Sequence, residues 1–155
     1  MSKSHSLIGK LKEKKLTLAL AESMTCGMAA YKLSGTKGVS DVLKGSIVCY
    51  TPEVKQSLMK IPQSLIEKYT CESMQVTEAL VNKLAKLIPA DIHAAITGLA
   101  SSGGSETKQK PVGTVFFCVR YKNKIHKLKK RFTGNPGKIK EKACRVLYNF
   151  ILKNI

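Results

Sequence analysis

Ser23 stands in the run Ala21-Glu22-Ser23-Met24-Thr25-Cys26-Gly27, directly after the apolar stretch Leu16-Thr17-Leu18-Ala19-Leu20. A short apolar stretch ending in small and hydroxyl residues reads as a strand turning into a helix. Such a junction sets a serine oxygen beside free backbone N–H groups, where acyl chemistry or phosphate binding is easily placed. Two roles are open for Ser23: helix cap, the commoner one for serine there, or nucleophile. Tyr50 ends a second strand-like run, Ser46-Ile47-Val48-Cys49-Tyr50. Lys55 falls one turn into the helix that Thr51-Pro52 begins. Functional groups in α/β proteins collect beyond the carboxyl ends of strands, so Ser23 and Tyr50 meet if their strands are parallel neighbours. A serine hydroxyl needs a proton acceptor, and lysine serves only as the neutral amine. A tyrosine between them could relay the proton or orient the oxygen. The plainer alternatives are one more surface lysine among 24 and a strand-end aromatic packing on the core.

Two glycine-bearing segments could offer N–H groups to a phosphate or an oxyanion: Thr25-Cys26-Gly27, and the loop from Thr97-Gly98 to Gly103-Gly104. Neither is a Walker or a dinucleotide fingerprint, and each also reads as an ordinary turn. The five cysteines are widely spaced and form no CxxC pair, which argues against a disulfide framework or a zinc knuckle. The three histidines have no metal-ligand spacing.

The elements that must position these residues follow from pattern. Residues 1–15 read as a polar helix or frayed arm, anchored only by Leu7, Ile8 and Leu11. Residues 16–155 form the domain. A strand over 16–21 leads to a helix from Thr25 to Leu33, and Ser34 to Gly38 breaks it. After the second strand come short helices through Leu58 and to Tyr69. Ser73 caps a long helix with the stripe Val76, Leu80, Leu84 and Leu87. Ile92 to Ile96 is a strand; Val112 to Tyr121 and Ile125 to Phe132 pair as a hairpin about Lys122-Asn123. Asn135 caps a last helix with Pro136 at its first position. Alternating strands and helices followed by a hairpin predict a single α/β domain with a mixed β-sheet covered by helices.

Composition sets outer bounds. The chain has 155 residues, 43% of them hydrophobic, enough for one domain with its own core. No signal-peptide block is apparent and no run approaches the ~18 apolar residues of a membrane span, so a cytoplasmic protein without a membrane partner is expected. The net charge is +17, and residues 107–155 carry 14 Lys/Arg against the one acid Glu141. A basic half favours anionic partners or is a solvated lysine surface; three arginines in the whole chain favour the latter. Chains of this size and class often dimerise, which keeps a homo-oligomer open.

Taken together, these residues resemble the CinA C-terminal domain family, which also occurs as a standalone nicotinamide-nucleotide amidase. The family's Ala-Glu-Ser-x-Thr-Gly-Gly is matched by Ala21 to Gly27. Its strand ending in Tyr with a Lys five positions on is matched by Val48-Cys49-Tyr50 and Lys55. Its Thr-Gly-x-Ala with Gly-Gly behind is matched by Thr97 to Ala100 and Gly103-Gly104. Lys110-Pro111-Val112-Gly113-Thr114-Val115 is intact, and Arg131 to Pro136 corresponds to Arg-Phe-x-Gly-Asp-Arg. The match runs in order over about residues 16–152, and resembles the standalone form. It implies hydrolysis of the carboxamide of nicotinamide mononucleotide to nicotinate mononucleotide and ammonia, with no metal and no cofactor. It implies Ser23 as nucleophile with Lys55 and Tyr50 as its activating pair, and oxyanion donors around Thr25 to Gly27. The substrate-binding set would be Thr25, Cys26, Gly27, Thr97, Gly98, Gly103 and Gly104, with the 5′-phosphate on glycine-rich backbone and basic side chains.

Three departures stand out. Cys26 replaces the first glycine of Thr-Gly-Gly, where φ > 0 comes freely only to glycine. Ser101-Ser102 replace Gly-Pro, and Pro136 replaces the late arginine, a potential phosphate ligand. The intact Ser23–Tyr50–Lys55 set points to an active enzyme with altered substrate handling, and Cys26 is a rival nucleophile. The second reading is a non-catalytic nucleotide- or nucleic-acid-binding member of the same fold. The lack of aromatics interleaved with the basic residues counts against the nucleic-acid partner.

Overall fold

A computed structural model describes residues 2–155. Its first helix, α1 (Lys3–Glu13), is capped by Ser2 and buries Leu7, Ile8 and Leu11 completely. Each such side chain contributes about 2 kcal/mol on leaving water. The amino-terminal segment is therefore a packed helix and not a frayed arm. β1 (Leu18–Glu22), β2 (Leu43–Val48), β3 (Ile92–Gly98), β4 (Thr114–Tyr121) and β5 (Lys124–Arg131) form one sheet in the order β2-β1-β3-β4-β5. β1 runs parallel to β2 and to β3; β4 and β5 are antiparallel. The remaining helices are α2 (Met28–Ser34), α3 (Pro52–Ser57), α4 (Gln63–Tyr69), α5 (Met74–Leu87) and α6 (Pro136–Lys153).

Alternation along the strands splits the core in two. Leu18, Leu20, Ile92, Ala94, Ile96, Val115 and Phe117 face one way, onto α1, α2 and α6. Ala19, Ala21, Ala95 and Cys118 face the other, onto Val76, Leu80 and Leu84 of α5. The result is a single-domain, helix–sheet–helix sandwich around a mixed sheet. No helix among the described residues is long and apolar enough to cross a membrane.

Several boundaries differ from the pattern reading. β1 starts and ends two residues later than the apolar run. β2 ends at Val48, which leaves Cys49 and Tyr50 in the following loop. α2 begins at Met28 and not at Thr25, because Cys26 (φ 49) and Gly27 (φ 90) turn the chain through left-handed geometry first. β4 begins at Thr114: Gly113 sits at φ 92, where an added Cβ would come 1.9 Å from the Phe132 carbonyl oxygen. Apart from the later start of β1, these shifts lie beside the carboxyl ends of β1, β2 and β3.

Candidate active site

The parallel register sets Glu22 opposite both Val48 and Ile96, so β1, β2 and β3 finish side by side. The ladder runs one step further, with Ser23 N–H donating to Ile96 O (3.1 Å) and Cys49 N–H to Glu22 O (2.9 Å). Ser23 is thus fixed at the rim and Cys49-Tyr50 beside it. Thr51 then caps α3, accepting from Val54 N, and Pro52 opens the helix. One turn in, the helix drives the Lys55 side chain back beneath the rim, where it is fully buried.

Lys55 Nζ has three neighbours: Ser23 Oγ at 3.0 Å, Cys49 O at 2.7 Å and Tyr50 O at 3.2 Å. It takes part in none of the four ion pairs among the described residues. Ser23 Oγ is therefore engaged by Lys55 and caps no helix. Tyr50 contributes its carbonyl. Its side chain is 57% exposed and hydrogen-bonds neither Ser23 nor Lys55. The phenol does not stand between the two: lysine and serine touch directly.

Glu22 does what the sequence reading gave to no residue. Its fully buried carboxylate accepts from Thr25 Oγ1 (2.7 Å), Gly27 N (3.1 Å) and Ala29 N (3.0 Å) on one oxygen. The other oxygen accepts from Ala30 N (2.9 Å) and Ser46 Oγ (3.0 Å). These bonds satisfy the start of α2 and pin the turn that carries Ser23. They also reassign the backbone donors. Gly27 N–H is spent on Glu22 and Cys26 N–H on Ser23 O, whereas those of Met24 and Thr25 meet no acceptor among the described residues. Of the N–H groups expected to be free from Thr25 to Gly27, only that of Thr25 is, and Met24 adds a second beside Ser23.

Ser23, Met24 and Tyr50 open into a cleft of about 650 Å³, walled by residues 70–72, residues 98–105, Pro136 and Lys140. Of the expected substrate-binding residues, Gly98, Gly103 and Gly104 line it; Thr25, Cys26, Gly27 and Thr97 do not. Thr97 is fully buried, its hydroxyl 2.8 Å from that of Thr77 on α5. Gly98 has to be glycine: a Cβ would meet the Thr114 carbonyl at 2.7 Å and the Met24 sulfur at 3.0 Å. Cys26 is exposed but lies outside the cleft lining, so the rival thiol does not share the pocket with Ser23.

The cleft wall has its own fastening. Lys110 Nζ donates to Thr70 Oγ1 (2.6 Å), Ser105 Oγ (2.8 Å) and Glu72 O (3.0 Å), and burial lowers its pKa. Thr70 is held at φ 66 and ψ 165, a region left almost entirely to glycine, so strain is stored at the wall. The Glu106 carboxylate accepts from the N–H groups of Gly103 (2.8 Å) and Gly104 (2.9 Å), which hold its pKa down. Cys71 also lines the cleft, and burial raises its thiol pKa despite nearby Lys55.

The profile of the CinA C-terminal domain matches residues 2–155. A "CinA-like protein" from Fusobacterium nucleatum subsp. nucleatum is 37% identical over 142 residues, 91% of this chain and 34% of that protein. Another from Thermotoga neapolitana is 36% identical over 146 residues, 94% of this chain and 35% of that protein. The chain thus spans about a third of the length of these curated relatives. A competence-damaged protein (CinA) superfamily protein from Escherichia coli superposes with a TM-score of 0.93 at 25% identity, over 99% of this chain and 88% of that one. A competence or damage-inducible protein from Enterobacter asburiae superposes with a TM-score of 0.92 at 24% identity, over 98% of this chain and 95% of that one, a likeness of fold.

Proposed function

The chain belongs to the CinA C-terminal domain family, and from the Ser23–Lys55 contact we propose that it is a metal-independent amidohydrolase converting nicotinamide mononucleotide to nicotinate mononucleotide and ammonia. The observation that carries this reading is the buried Lys55 Nζ, 3.0 Å from Ser23 Oγ and unpaired with any carboxylate among the described residues. A neutral amine has two N–H donors and one lone pair. Lys55 Nζ donates to Ser23 Oγ, Cys49 O and Tyr50 O, so loss of the proton it shares with Ser23 turns that lone pair onto the hydroxyl.

Lys55 then accepts the hydroxyl proton as Ser23 Oγ attacks the carboxamide carbon. The Met24 and Thr25 N–H groups lie beside the developing oxyanion. The C–N bond breaks, the proton on Lys55 leaves with the amide nitrogen as ammonia, and an ester on Ser23 remains. Water attacks that ester, again with Lys55 as base, and releases the carboxylate. The exposed Tyr50 ring forms part of the cleft wall against which a flat pyridine ring can rest.

Purified protein with nicotinamide mononucleotide should release ammonia and nicotinate mononucleotide in equal amounts, without added metal. Release of nicotinamide, or no product at all, sinks the reading. One observation supports the nucleic-acid alternative: Lys124, Lys129, Lys130 and Arg131 are exposed along edge strand β5. Lysines there also block edge-to-edge pairing. Binding to duplex DNA that weakens by about 0.9 log units per log salt for each contacted phosphate would support the alternative.

A further inference from the structure

We infer that Lys140 is the residue that reads the negative charge of the substrate, a phosphomonoester, and so sets specificity for the phosphorylated nucleotide; this rests on the amidohydrolase reading above. Lys140 is the only cationic side chain lining the cleft among the described residues. It is half-buried and takes part in none of the four ion pairs found there. Lys55 lies beneath the floor, with its nitrogen committed to Ser23 and two carbonyls. Lys110 lies behind the wall, its nitrogen committed to Thr70, Glu72 and Ser105.

Ser101 and Ser102 line the cleft with hydroxyls that carry no charge, and several backbone donors near it are already used. Gly103 and Gly104 N–H both donate to Glu106. At the start of α6, Pro136 has no N–H and the Lys138 N–H is taken by Asn135 Oδ1 at 2.9 Å. Pro136 and Lys140 line the same cleft, one helical turn apart. Lys140 thus puts a cation on the face of α6 where Pro136 supplies neither charge nor donor.

The test compares nicotinamide mononucleotide with its dephosphorylated riboside. Lys140→Ala should raise KM for the mononucleotide by on the order of tenfold. It should leave the riboside KM and both kcat values within about twofold, and Lys140→Arg should restore the mononucleotide KM. Equal changes for both substrates, or none, overturn the proposal. Calorimetric binding of the mononucleotide to Ser23→Ala and to Ser23→Ala/Lys140→Ala gives a reading independent of turnover. Weaker binding by the double variant supports the charge-reading role even if the wild type shows no hydrolysis. Equal binding, or none to either protein, overturns it.

Discussion

The Glu22 carboxylate meets the Ala30 N–H at 2.9 Å, so the last residue of β1 is tied to the first turn of α2. The same carboxylate accepts four further bonds, and the turn bearing Ser23 lies inside that loop of contacts. Glu22→Gln keeps the shape but turns an NH2 group towards donors. It should cost about 3 kcal/mol of stability, from several buried donors left unpaired. Urea unfolding measures this, and a loss under 1 kcal/mol would show that the turn holds without the carboxylate.

Cys26 occupies φ 49, where its Cβ is strained and a glycine would not be. Cys26→Gly should stabilise the fold by about 1 kcal/mol and leave turnover unchanged, since Cys26 is outside the cleft lining. The thiols give a second check. Burial pushes Cys118 and Cys144 up to about 12 and raises Cys49 and Cys71. A native-state thiol assay should therefore find one fast-reacting group, absent from Cys26→Gly. Several fast thiols would contradict the packing described.

Tyr50 separates two mechanisms. If its phenol relayed a proton, Tyr50→Phe would lower kcat by 10²-fold or more, roughly the worth of general acid–base help. Because only its carbonyl touches Lys55, Tyr50→Phe should keep kcat within about fivefold, while Tyr50→Ala raises KM by removing part of the cleft wall.

Asp91 Oδ2 accepts from Thr17 N (2.8 Å) and Thr17 Oγ1 (2.7 Å), and these bonds hold its pKa below 3.8. A depressed carboxylate pKa gives stability that is present above the unfolded value and lost as pH falls through the folded one. The stability difference between wild type and Asp91→Asn should be present at neutral pH and close as pH falls through the lowered folded-state value. A difference that persists in acid would assign it to packing.

The α/β class was legible from local signals, apolar runs alternating with capped helical stripes, whereas those signals left Lys55 one surface lysine among 24 and only the family resemblance paired it with Ser23. The contact of Tyr50 with Lys55 was not legible because it is made by a main-chain carbonyl, which no side-chain pattern reveals. Thr97 was misplaced because strand alternation turns it onto α5, and the strand runs two residues beyond its apolar segment. Glu22 had a visible signal that went unused: an acid between a strand and a helix that lacks a capping side chain of its own. Lys140 was one lysine among 24 until α6 docked and brought it to the cleft.

The contact between Lys55 and Ser23 is tested most directly by ammonia release from nicotinamide mononucleotide in Ser23→Ala measured beside the wild type. The expected result is a loss of at least about 10³-fold with the fold intact, as befits removal of a nucleophile that acts with its base as a unit. Release within tenfold of the wild-type rate would contradict the serine mechanism outright.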